Sequence, residues 1–175
     1  VNGLPARPPA DGRPPPTFDR VLAEHGPALR RLVAAWERDA AAREDLLQEI
    51  LLALWRALPS FRGECSPRTF VLRVAHNRAL THRFRPRRDG EPLEAALHVA
   101  HPDPGPEAEA AAAQRLERLR RALRALPVPA RQVLTLSLEG LSGAEIAAVL
   151  GTTEGNAWVR LSRARRALKE ELDRS

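Results

Sequence analysis

The chain has 175 residues, room for one mid-sized or two small folding units, each with a modest core. Hydrophobic residues make up 43% but aromatic ones only 4%, so the interior has to be built from Leu, Ala and Val, which favours helices. A formal charge of +6 points to a polyanionic partner; the single Cys65 excludes an intrachain disulfide, and no run of about 18 apolar residues is present to insert into a membrane.

Residues 1–16 are rich in proline and glycine, cannot bury enough apolar surface to order themselves, and read as a disordered tail. From Thr17 the texture changes. Phe18, Val21, Leu22, Leu29, Leu32, Val33 and Trp36 recur at helical spacing, with Gly26 and Pro27 marking a break or a fresh start. A second helix over residues 44–58 carries Leu47, Ile50, Leu51, Leu54 and Leu58 on one stripe, and Pro59 ends it. After a loop, Pro67 opens a third helix reaching residue 84. The proline-rich residues 87–112 have linker composition. Beyond them Leu116, Leu119, Leu123 and Leu126 share a helix face, and Pro129 starts another helix to Leu138. Ser142 and Glu145 have capping-box spacing before a short helix, and Gly151, Thr152 and Thr153 turn the chain into a last helix. The expected fold is all-α, with two small helical domains, residues 17–86 and 113–175, joined by a flexible linker.

Three features carry chemistry. A short helix, a glycine turn and a longer arginine-bearing helix make a helix-turn-helix, whose second helix enters the DNA major groove. Ala157, Leu161, Ala164 and Leu168 share its inward face, leaving Trp158, Val159, Ser162, Arg163 and Arg166 outside, where arginines neutralise phosphates or read guanine edges. The bland reading is a solvated basic helix that packs on a protein. Between Phe61 and Arg88 eight arginines face one acid, Glu64, and are interleaved with Phe61, Phe70 and Phe84, a pattern that suits single-stranded nucleic acid. Each phenylalanine has a competing fate in the core. Finally, Asp45, Gln48, Glu49 and Leu52 fall on one face of the second helix, an acidic patch that by default is only a solvated surface. The arginine excess itself has a second reading in a GC-rich genome, since Lys169 is the one lysine.

These residues resemble a known family. Residues 44–50 (EDLLQEI), 54–58 (LWRAL), 61–63 (FRG) and 73–77 (RVAHN) look like region two of the extracytoplasmic-function (ECF) sigma factors of bacterial RNA polymerase. Leu126-Pro127, Leu141-Ser142, Glu145-Ile146-Ala147, Leu150-Gly151 and residues 160–165 (RLSRAR) look like their region four, in the family's order and separation. The resemblance implies a transcription initiation factor that binds core RNA polymerase through Asp45, Gln48, Glu49 and Leu52. It implies capture of unpaired bases of the downstream promoter box by Arg62, Phe70, Arg73, His76, Asn77 and Thr81, and reading of the upstream box as duplex by Trp158, Val159, Ser162, Arg163 and Arg166. Extruding a base costs a few kcal/mol, which stacking and pocket contacts must offset. Anti-sigma partners are usual in such a family and leave no readable mark here. At Trp158 and Val159 the family more often carries a basic and a small polar residue, and Thr81 replaces a commonly acidic or amide position. Two rival readings stay open: a stand-alone helix-turn-helix regulator that never touches polymerase, and an interaction module whose arginines serve a protein partner.

No catalysis is expected. His98 and His101 lack cysteine partners for a metal, His25, His76 and His82 lack partners for acid–base work, and no glycine-rich phosphate loop is present. No cofactor follows, and without a signal peptide pattern a soluble cytoplasmic protein is expected.

Overall fold

The computed structural model describes residues 16–84 and 106–174. The proline-rich tail up to residue 15 and linker residues 87–105, with His98 and His101, lie outside the described residues. Seven α-helices make up the described part: α1 (Phe18–Trp36), α2 (Ala40–Ala57), α3 (Pro67–Arg83), α4 (Pro106–Ala125), α5 (Val128–Leu138), α6 (Gly143–Leu150) and α7 (Glu154–Arg174).

Helix α1 starts where the Thr17 hydroxyl accepts from the Arg20 amide, and it runs straight through the expected break at Gly26 and Pro27. An interior proline costs about 3 kcal/mol through its missing N–H and its clash with the preceding turn. Here the apolar stripe keeps its register across the proline, since Val21, Ala28, Leu29, Leu32 and Trp36 are all buried. Each large apolar side chain so buried contributes about 1.5–3 kcal/mol, so packing outweighs the local penalty. Helix α2 begins four residues before the expected start: Asp39 caps it by accepting from the Ala42 amide at 2.8 Å, and Ala40, Ala41 and Ala42 are the strongest helix formers. Its Leu46, Leu47, Ile50 and Leu54 face inward against α1 and α3, and a single 3-10 turn over Leu58–Ser60 ends it at Pro59. Ser66 caps α3, with Pro67 at the first helical position.

In the second half, α4 starts at Pro106, so the last seven residues of the expected linker, 106–112, are helical. The alanine-rich run 110–113 supplies the propensity that the neighbouring prolines obscure. Ser142 and Glu145 form the full capping box of α6, and Gly151 ends that helix at φ +62°, the left-handed conformation that glycine adopts without strain.

The largest departure from expectation is the relation of the two modules, which are docked rather than held apart. Helix α1 packs on α4, α3 packs on α6, and buried residues of both halves form one cluster. Polar bonds stitch the seam. Arg31 grips the buried Glu139 carboxylate with two bonds of 2.9 and 2.8 Å, Arg68 donates to the Glu139 carbonyl, and the Thr69 hydroxyl donates to Glu145 at 2.6 Å. Arg124 donates to the Ala34 carbonyl at 3.0 Å.

Candidate nucleic-acid and polymerase surfaces

Helix α3 divides its residues between two jobs. One face, with Thr69, Leu72, His76 and Ala79, is buried; the other presents Phe70, Arg73, Asn77 and Thr81. Phe70 is half-buried against Phe61, with ring centroids 4.9 Å apart and planes tilted by 57°. Arg73 lies beside them, its guanidinium donating to the Cys65 thiol at 3.1 Å while its Nε is buried without a partner. Together with Arg62 these side chains line a cavity of about 270 Å³. Two rings and two guanidiniums around one hollow offer stacking and charge to a single unpaired base. Asn77 and Thr81 stand exposed one turn apart, the Thr81 hydroxyl donating to the Asn77 carbonyl. Phe84 is exposed, whereas Phe61 belongs to the interior, so the competing core fate holds for one of the three rings and partly for Phe70.

His76 does not join that surface. It is 1% exposed, meets Trp36 edge-on at 5.6 Å, and shares a 3.0 Å hydrogen bond with Gln132 of α5. Burial pushes its pKa down to about 4, so the ring is neutral at physiological pH. In this arrangement DNA cannot reach it, because Trp36 of α1 and Gln132 of α5 meet it on the side of α3 from which it projects.

On α7 the inward and outward sets separate as the periodicity indicates. Ala157, Leu161 and Ala164 are buried and Leu168 is half-buried, while Trp158, Val159, Ser162, Arg163 and Arg166 are exposed. Trp158 lies over the start of α6, where a Cβ on Gly143 would come within 2.7 Å of its Nε1. Arg166 pairs with Glu170 one turn on, a contact so exposed that it is worth little and yields readily to phosphate.

On α2, Asp45, Gln48 and Leu52 are exposed, and Trp55 continues their line at 61% exposure. Trp55 was missed in the sequence, although its three-residue spacing from Leu52 places it on the same face. Glu49 is less available, lying 4.0 Å from Arg78 and 3.7 Å from His82 of α3. Also missed were Arg31, Arg68, Arg131, Glu139 and Glu145, whose roles depend on the seam. Among the described residues no cluster of His, Cys, Asp or Glu could hold a metal ion, and no helix is long and apolar enough to cross a membrane.

The α2 and α3 surfaces fall within a match to Sigma-70 region 2 over residues 21–89, and the α7 surface within a match to Sigma-70 region 4 over residues 116–168. The RNA polymerase sigma factor CnrH of Cupriavidus metallidurans is 32% identical over 166 residues, which cover 89% of this chain and 86% of that protein. The chain belongs to the ECF sigma factors. The ECF sigma factor SigD of Mycobacterium tuberculosis is 35% identical over 146 residues, covering 82% of this chain and 69% of SigD. Solved structures agree across both modules of this sigma factor. CnrH in complex with the cytosolic domain of CnrY has a TM-score of 0.66 at 26% identity, covering 90% of this chain and 88% of that one. RpoE in complex with the anti-sigma factor NepR, from Bartonella quintana, has a TM-score of 0.67 at 26% identity, covering 89% and 96%. As a sigma factor the chain directs RNA polymerase to promoters, and its family consists of non-catalytic initiation factors.

Proposed function

We propose that the α2 stripe of Asp45, Gln48, Leu52 and Trp55, with Glu49 at its edge, anchors this sigma factor on core polymerase. Exposed carboxylate and amide groups beside two uncovered apolar side chains are unusual on so basic a chain, and such a mixture fits a protein interface. Arg62, Phe70, Arg73, Asn77 and Thr81 then hold an unpaired base of the downstream box, and Trp158, Val159, Ser162, Arg163 and Arg166 read the upstream box as duplex. The observation that carries this reading is the ring-and-guanidinium hollow on the face of α3 opposite the module seam. His76 stands apart from that surface, held by Trp36 of its own module and by Gln132 of α5, and the docked arrangement is read as the state that precedes promoter engagement. An anti-sigma factor is a natural partner for that state, since RpoE is seen with NepR. The working compartment is the cytoplasm, where polymerase and promoter DNA meet.

The test pairs two variants in purified transcription with core polymerase. Asp45→Lys with Gln48→Arg should abolish co-purification with core and leave duplex binding by α7 intact. Arg73→Gln should retain core binding but reduce open-complex formation by at least about tenfold. A stand-alone regulator would be indifferent to the first pair, and full promoter opening by Arg73→Gln removes the proposed base pocket.

A further inference from the structure

At one end of the seam the two modules form an open cavity of about 610 Å³, within the size range of small-molecule sites. Its walls come from both halves: Trp36, Arg38 and Arg83 on one side, Arg121, Arg124 and Arg131 on the other. Two of the five guanidiniums are already committed. Arg131 is 3% exposed and donates to the Leu123, Arg124 and Leu126 carbonyls, and Arg124 donates to the Ala34 carbonyl and to Glu117. Arg38, Arg83 and Arg121 stand exposed at the rim, and among the described residues none of their guanidiniums is ion-paired. Glu37 and Glu117 are the carboxylates in the lining, and Glu37 is occupied with the Arg38 and Asp39 amides. Among the described residues, allowing about half a negative charge for each of the helix ends of α1, α3 and α4 that terminate here, about one and a half positive charges stay uncompensated. Burial depresses the Arg131 guanidinium most, and Arg83 and Arg124 depress it further, the mark of like charges forced together. Trp36, in the same wall, holds its indole N–H buried without an acceptor. The excess of cations asks for one thing, an anion with several oxygens.

We propose that this inter-module cavity binds a small oligophosphate, carried by a nucleotide or free, and that the ligand clamps the two modules together. Arg38, Arg83 and Arg121 contribute free donors, and guanidiniums match phosphate oxygens two at a time. Because the walls come from both modules, the ligand binds only the docked form and shifts the population toward it. The site is separate from the DNA surfaces of α3 and α7, so it gives the factor a means to sense a metabolite before it meets a promoter.

Calorimetric titration of the full chain at low ionic strength with inorganic triphosphate and with ATP tests this. One equivalent should bind, with a rise in Tm; similar affinity for both probes assigns recognition to the phosphates, and tighter ATP binding adds a contribution from the nucleoside. Arg83→Gln with Arg121→Gln should weaken binding at least about tenfold, and Arg163→Gln with Arg166→Gln on α7 should leave it unchanged. Circular dichroism of both variants confirms that they fold. Absence of binding by either probe up to about 1 mM, retention of binding in the Arg83/Arg121 variant, or equal loss in the α7 variant each overturns the proposal.

Discussion

Arg73 and His76 stand three positions apart on one helix, and their fates diverge. Arg73 faces the open hollow, whereas His76 sits under α5 with its Nδ1 buried and unpaired, so protonating it would place a charge where no acceptor waits. Above pH 6.5 the ring is neutral whether the chain is folded or not, and it adds no pH dependence. Between 6.5 and about 4 the unfolded chain takes up a proton that the folded chain refuses, so stability falls as the pH drops. The loss should reach about 3 kcal/mol by pH 4. Urea denaturation from pH 8 to pH 4 should show a flat midpoint down to about 6.5 and a decline below, and His76→Gln should remove most of that slope. His25, also depressed by burial, adds to it in the same direction. The family resemblance puts His76 among the DNA-facing residues because its neighbours Arg73 and Asn77 carry the motif, whereas helical spacing groups it with the buried Thr69, Leu72 and Ala79; its partner Gln132 is 56 residues away in the chain.

Elements were read best where the backbone chemistry is local. The capping box of Ser142 and Glu145, the glycine turn and the buried 157/161/164 face of α7 were all legible, because each depends on contacts within one or two turns. Gly151 carries the turn that aims α7. Nothing lies within 4 Å of where its Cβ would be, so any cost of a side chain is purely that of the left-handed backbone. Gly151→Ala should therefore lower stability by about 1–2 kcal/mol, read as a lower Tm, while Gly151→Asn should be milder because asparagine tolerates this conformation. The elements misread were those where a general rule met a particular environment. Pro27 in α1 is overridden by burial on both sides of it, and the start of α4 was masked by the prolines before it.

At the scale of the molecule the docking seam decides what the surfaces can do. Glu139 keeps a carboxylate at 5% exposure because Arg31 neutralises it from the other module, and that bond in turn raises the Arg31 pKa. Arg31→Ala leaves the carboxylate either buried without a partner, at about 1–3 kcal/mol, or hydrated by separating the modules. Separation would also break the Thr69–Glu145 and Arg124–Ala34 bonds and uncover the shared core, so the cost is met within the docked form. Thermal denaturation of Arg31→Ala should show a lower Tm, while small-angle scattering should show an unchanged radius of gyration.

Residue order alone was enough for most of the helices, the capping box of α6, the outward face of α7 and the acidic stripe of α2, and with them the family. Those follow from propensity and from spacings of three and four residues, which any stretch of chain carries within itself. Tertiary structure alone decided that the two modules lie together, that Glu139 and His76 are buried between them, and that five arginines meet around one cavity. Such pairings join residues dozens of positions apart, where the free energy depends on how two finished surfaces fit rather than on the order of residues in either one.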